Sequence, residues 1–147
     1  MHVPVVSLTR LHLASRWSLP PFLYYAFVSA KQARRSPGFI TGWLANDAEY
    51  GFWTSTVWDS LEAMRAFRNS GRHMKVMPKL LRWCDEASFA HWEQADANPP
   101  AMDAAFDRLS RDGKLSKVNA PSARQRSGET VGASQPRQTQ HLKKIGA

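Results

Sequence analysis

Five histidines, six tryptophans and a single cysteine hold most of the reactive and ring-recognising chemistry in this chain of 147 residues, and their spacing sorts them. His73 comes first. An imidazole with an ordinary pKa of ~6.5 can take or return a proton near neutrality, or bind iron. Helical spacing places His73, Met77 and Leu80 to Leu81 on one face, with Asn69 about a turn earlier. A proton acceptor at the edge of an apolar wall is the chemistry this predicts; a structural hydrogen bond is the ordinary alternative for a lone helix histidine.

His91 and Trp92 are adjacent in the strand-like run ASFAHWEQ, so they point to opposite faces and only one can line a given cavity. Trp92, Trp43 and Trp53, with Phe27 and Met77, are the candidate walls for a ring-shaped ligand, although packing between layers accounts for the tryptophans equally well. Arg10 and His12 interrupt one side of VVSLTRLHL. Arg10 could balance an anionic oxygen in the cavity or pair with a carboxylate such as Glu93. Cys84, at an apolar helix end, reads as a buried small side chain. Arg65, Arg68, Arg72, Lys75, Lys79 and Arg82 recur every three or four residues, either as a phosphate-binding stripe or as an ordinary solvated face. No GxSxG, P-loop, GxGxxG, HExxH or EF-hand pattern occurs, which disfavours hydrolase, nucleotide-binding and zinc-protease readings.

These residues need elements to position them. Val5 to Leu13 has strand composition, and Pro20-Pro21 suits the start of a helix from Pro21 to about Arg35. Phe22, Leu23, Ala26, Phe27, Ala30 and Ala33 share one face of that helix, opposite Lys31 and Arg35. Gly38 to Leu44 and Gly51 to Trp58 read as a hairpin, with Phe52, Thr54, Thr56 and Trp58 on one side and Trp53, Ser55 and Val57 on the other. Ser60 to about Trp83 is helical but interrupted near Asn69-Ser-Gly71, and Ala87 to Gln94 is the last strand. A short amphipathic helix follows at about Ala101 to Arg111.

Composition divides the chain. All six Trp, all three Tyr and every Phe but Phe106 precede residue 95, so the core must be built there. The expected organisation is a domain over 1–95, a helical extension over 96–116 and a basic tail over 117–147 with too little to bury to become ordered. A domain of ~90 residues buries only roughly 60–65% of its unfolded surface, which favours a homodimer that covers one face. The net charge of +8 is spread over both halves, with eleven basic against seven acidic residues up to Ala95 and nine against five after it. No zinc-finger, recognition-helix or RNP-like pattern accompanies it, so nucleic acid is disfavoured as a partner. One cysteine excludes an internal disulfide, and neither a signal-peptide pattern nor an apolar run of ~20 residues is present. A reducing, cytoplasmic setting is the expectation.

The order of elements, with GFITGWL, FWTSTVWDSLEAMRAFRNSGRHMKVMP and DEASFAHWEQ in place, resembles the antibiotic-biosynthesis-monooxygenase-like family. Trp58, the acidic helix start, Ala63-Met64, Phe67, Ser70 and His73 carry the resemblance, which covers residues 5–94. More distantly, the first helix and its ARRSPGF turn are similar to spheroidene monooxygenases. The resemblance implies an α+β, ferredoxin-like βαββαβ fold in a dimeric α+β barrel, and a cavity for an apolar aromatic or polyene molecule. It implies a monooxygenase, cofactor-free or haem-dependent, with His73, Asn69 and Arg10 as catalytic candidates and His73 or His91 as the axial ligand of a haem. Where the haem-degrading branch has its iron-binding histidine, this chain has Met77, with His73 one turn earlier. A dimeric protein that binds an apolar metabolite without reacting it is the competing expectation, and electrostatic attachment to nucleic acid or membrane is a third.

Overall fold

Alternating and helical hydrophobic patterns become β1 (Val5–Leu13), α1 (Leu19–Arg35), β2 (Phe39–Asn46), β3 (Gly51–Trp58), α2 (Leu61–Arg68), α3 (Gly71–Arg82) and β4 (Cys84–Glu93). α4 (Met102–Asp112), β5 (Lys114–Leu115), α5 (Ala123–Arg126) and β6 (Arg137–Lys143) follow. This is a computed structural model, and it describes residues 3–146 apart from the side chain of Arg72. Proline in the first turn of α1 costs no internal hydrogen bond, and Arg34 and Arg35 sit at the negative end of its dipole. Ser60 caps α2 by accepting from the Ala63 amide at 3.1 Å, and Glu62 lies in the first turn. At Gly38 the backbone is left-handed at φ 87°, and a Cβ there would collide with that of Ala63. Glycine therefore lets β2 start hard against α2.

The strands form one antiparallel sheet in the order β5-β4-β1-β3-β2-β6, of which β4-β1-β3-β2 with α1 and the divided α2/α3 is the expected ferredoxin-like arrangement. Ser7 pairs with Thr56 on one side and His91 on the other, and Thr9 pairs with Thr54 and Phe89. Directly opposed residues share a face. Ser7, Thr9, Thr54, Thr56, Phe89 and His91 therefore form one patch under α1, α2 and α3.

The opposite face is closed by the chain itself. Val6, Leu8, Arg10, Trp43, Ala45, Trp53, Ser55, Val57, Ser88 and Ala90 are all buried there. α4 supplies Ala105 and Leu109, both fully buried, with Met102 and Phe106 beside them. The expected disorder of 117–147 is corrected as far as the described residues reach: β6 pairs along β2, α5 docks on β4, and Val118, Gln125, Thr130 and Leu142 are buried. Polar bonds do most of this ordering. Ser88 donates to the Thr130 carbonyl at 2.6 Å, Thr130 to the Leu109 carbonyl at 2.6 Å, and Gln125 accepts from the Ala87 amide and donates to the Ser116 carbonyl. Composition undervalued the segment because its partners are backbone groups and buried side chains of the domain. A homodimer was expected in order to cover an open sheet face; α4 and the segment after it already cover that face, so its burial needs no second copy.

Candidate functional site

Between the hydroxyl-bearing sheet patch and the three helices lies a cavity of about 1010 Å³. Its roof comes from the predicted inner face of α1, Phe22, Leu23, Ala26, Phe27, Ala30 and Ala33, and from Met64, Phe67, Met77, Leu80 and Leu81. Trp58 closes one end. Its ring stacks on Phe67 at 5.2 Å, and its Nε1 donates to Thr56 Oγ at 2.9 Å. Ser7, Thr9, Thr54 and Thr56 border the cavity from the floor, and Gln140 of β6 borders it from the far edge.

His73 is where helical spacing placed it, on the cavity side of α3 near its start. The break between α2 and α3 turns the Arg68 carbonyl toward it, 3.0 Å from Nδ1. A carbonyl only accepts, so Nδ1 carries the proton and Nε2 keeps the free lone pair. Burial lowers the His73 pKa below 6.5; the bond to the Arg68 carbonyl opposes this, and the Arg68 guanidinium adds to it. The ring packs 4.5 Å from Phe67. His91 lies near the mouth, its ring nearly parallel to that of Phe89. Desolvation lowers its pKa, and the nearby charges of Arg68, Lys114 and Arg65 lower it further. An iron ligand needs a neutral imidazole with a free lone pair, which both histidines offer; His73 does so beside the apolar wall.

Three expected site residues stand on the other face, a fourth borders the cavity with its ring turned away, and a fifth is exposed. Trp43 donates from Nε1 to the Pro100 carbonyl at 2.9 Å, and Trp92 lies under Arg108, whose guanidinium carbon is 4.4 Å from its ring centroid. Trp53 itself borders the cavity, but its ring stacks on Phe106 and its Nε1 donates to Asp47 at 3.0 Å on the other side of the sheet. Strand parity decides all three: Trp53 alternates with Thr54, and Trp92 with His91. Asn69 caps the end of α2 through its backbone and does not reach the cavity lining. Trp58 joins Trp53 in lining the cavity, and its parity with Thr54 and Thr56 was readable from the sequence.

Arg10 is the largest departure. Its side chain is 1% exposed, with Nε 3.1 Å from Asp47 and Nη1 2.8 Å from Glu86. The partner is a carboxylate, as one reading had it, but not Glu93. Burial alone would raise the pKa of Asp47; the bonds from Trp53 and from the Gly51 and Glu49 amides, with the Arg10 charge, outweigh it and hold the group below its ordinary value. Glu86 is likewise lowered against its burial, by Arg10 and by a 2.8 Å bond from Ser122. Arg124 extends the cluster to Glu49 at 3.5 Å and Glu86 at 3.7 Å. This is a buried ion network that pins the C-terminal segment. His12, Asp85 and Glu86 bring three ligand-type atoms within 4.8 Å of one another nearby, but Arg10 and Ser122 already engage both Glu86 oxygens.

Cys84 is buried, with its thiol pushed up to about 12, first by burial and then by Asp85, and it donates to the Leu80 carbonyl. No helix among the described residues is long and apolar enough to cross a membrane.

No protein-family model matches the chain, and no curated protein matches its sequence. Solved structures do match in shape. A protein classed with the antibiotic biosynthesis monooxygenases from Nitrosomonas europaea superposes with a TM-score of 0.57 at 11% identity, covering 64% of this chain and 92% of its own. SnoaB, a cofactor-independent oxygenase from Streptomyces nogalater, gives a TM-score of 0.57 at 15% identity, covering 66% and 98%. Rv0793 from Mycobacterium tuberculosis gives 0.55 at 15% identity, covering 63% and 96%. About a third of this chain thus has no counterpart in these neighbours, a share close to that of the residues after Gln94. The sheet order, the divided second helix and these superpositions together give the chain the fold of the antibiotic-biosynthesis-monooxygenase-like proteins.

Proposed function

We propose that this protein is a monooxygenase-like enzyme that takes an apolar, electron-rich aromatic or polyene molecule into the cavity between sheet and helices. The observation that carries this reading is His73, held as the Nδ1–H form beside an apolar cavity of about 1010 Å³. Such a ring is neutral at pH 7 and has Nε2 available as a base. A substrate with an acidic ring methylene would lose a proton to Nε2 and become a carbanion that passes an electron to dioxygen. Recombination forms the C–O bond of a peroxide, which His73 protonates. Loss of the second methylene proton expels water and leaves a ketone. One oxygen atom stays in the product and the other leaves as water, so the four electrons given up by carbon match the four taken by dioxygen. With Arg10 and Asn69 away from the cavity lining, the floor hydroxyls of Ser7, Thr9, Thr54 and Thr56 are donors that can stabilise developing negative charge on oxygen. That SnoaB is a cofactor-independent oxygenase supports the cofactor-free form.

If a haem is used instead, His73 is the residue that would hold it, and the group would supply iron-based oxygen activation. A binding role without chemistry is favoured by one observation, the loss of both expected oxyanion partners from the site. Oxygen consumption with anthrones and quinols, next to an absorption spectrum with added haemin, separates the readings. Turnover without haem uptake, abolished in His73→Ala, supports the cofactor-free enzyme. Ligand binding with no oxygen uptake would replace it with the binding protein.

A further inference from the structure

Around His91, at the edge of the cavity, the neighbouring charges are of one sign. Lys114 pairs with Phe89 across β5 and β4, so the two side chains leave the sheet on the same face, and His91, two residues on, shares it. Arg68, in the last turn of α2, lines the cavity together with His73 and His91, and Arg65 is one turn back on the same helix. Arg65, Arg68 and Lys114 all bear on His91, and no carboxylate is among its electrostatic neighbours. None of the three joins a salt bridge among the described residues. The other face is built differently. There Arg10 and Arg124 are matched by Asp47, Glu49 and Glu86. Unmatched cations beside the apolar cavity offer a counter-charge to a visiting anion, and the desolvated wall strengthens the attraction.

Resting on the cavity reading above, we infer that the ligand is an anionic amphiphile. Its apolar ring system or chain lies under α1, and a carboxylate-like group at one end is held at the rim by Arg68 and Lys114. The rim also orients such a ligand, because only one end of it is charged. A ligand anchored there enters body first, toward Trp58 and the floor hydroxyls. Lys114 belongs to the segment after Gln94, so the charge requirement is in part a property of the extension.

The test is a matched pair of fluorescent probes titrated into the full chain, 1-anilinonaphthalene-8-sulfonate and its uncharged relative N-phenyl-1-naphthylamine. Both should bind, the sulfonate more tightly, and Ala26→Trp, which fills the cavity, should weaken both. The double variant Arg68→Gln with Lys114→Gln should lose roughly tenfold in sulfonate affinity, the scale of one lost charge-assisted contact, with the neutral probe within about twofold. Lys31→Gln, on the outer face of α1, should change neither. Equal affinities of the double variant and the wild type for the sulfonate, with the neutral probe still bound, overturn the anionic subsite and leave the cavity reading standing. Weakening of both probes by the same factor in the double variant likewise overturns the subsite alone. Failure of both probes to bind, or binding indifferent to Ala26→Trp, overturns the subsite and the cavity reading together.

Discussion

Replacing Arg10 by Met separates a structural from a catalytic role for the residue that sequence had placed in the site. Met fills similar volume but leaves Asp47 and Glu86 buried without their cation. Breaking a buried pair from one side costs about 3–5 kcal/mol. With an unfolding entropy of about 2.1 cal/mol/K per residue, 147 residues give about 0.31 kcal/mol/K, so the midpoint should fall by roughly 10–16 °C at pH 7. The pH dependence identifies the cause. In the wild type Asp47 and Glu86 titrate below their ordinary 3.8 and 4.5, so their stabilisation is complete above those values and is lost as pH falls through the lower folded ones. Without Arg10 both folded pKa values rise, because burial is then opposed only by the bonds from Trp53, Gly51 and Glu49 at Asp47 and by Ser122 and His12 at Glu86. The penalty is then largest at neutral pH and shrinks as the carboxyls protonate. Thermal unfolding followed by circular dichroism at pH 7 and pH 4 should show the gap between the two proteins narrowing on acidification. A midpoint within 2 °C of wild type at pH 7, or a gap that widens at pH 4, would refute the network as a source of stability. Probe binding well below the midpoint should be unchanged, because Arg10 does not face the cavity.

His73→Gln should lower turnover by roughly 10²–10⁴-fold, the range for loss of a general base, while naphthylamine binding persists. In the wild type, activity should rise with pH through an apparent pKa below 6.5 and then level, since the folded His73 pKa is lowered and the neutral ring is the active form; a limb above 6.5 would point to another base. Sedimentation of the full chain should give a monomer, and Leu109→Asp, which puts a charge at a fully buried position, should undock α4 and make the mass concentration-dependent. A stable dimer of the wild type would show that a surface other than the covered sheet face joins two copies. Cys84 should react with Ellman's reagent only at the rate of unfolding, because its thiol is buried and its pKa is about 12; immediate reaction would contradict the packing of α3 on β4.

Much of the first 95 residues was legible because each element there has a side-chain period. The β1 and β3 boundaries read from alternation are those of the structure, and the six residues read as the inner face of α1 all line the cavity, joined there by Leu19 and Ser29. The break between α2 and α3 followed from Asn69-Ser-Gly71. What could not be read was which sheet face belongs to which layer. Parity gives two sets of residues for a strand but does not say which set meets the ligand; hence Trp43 and Trp92 were placed in the cavity and pack with α4, Trp53 borders the cavity yet turns its ring to Phe106, and Arg10 lies in the ion network with Asp47 and Glu86. The segment after Ser116 had no period to read. In RQTQHLK only Leu142 is buried, because β6 is held by its ladder to β2 and needs no apolar face of its own. Its interior residues likewise bury polar groups against polar partners, and Gly132 fits where a Cβ would lie 2.7 Å from Glu49 Oε1 and 3.2 Å from Arg10 Nη2.

That extension couples the two faces of the sheet. A sheet of this size cannot leave a face bearing Trp43, Trp53, Leu8 and Val57 in water, and the solved neighbours match only about two thirds of this chain. Here α4 and the ion network around Arg10 close that face. The same stretch carries β5 and β6 to the two edges of the sheet, where Lys114 approaches His91 and Gln140 borders the cavity. A segment that covers one face therefore also reaches the site on the other. Changes at its docking surface should be felt in two ways: disrupting Leu109 or Arg124 lowers stability, and by loosening β5 it also weakens sulfonate binding while sparing the neutral probe. Parallel loss of both probes would mean that the extension supports the fold alone.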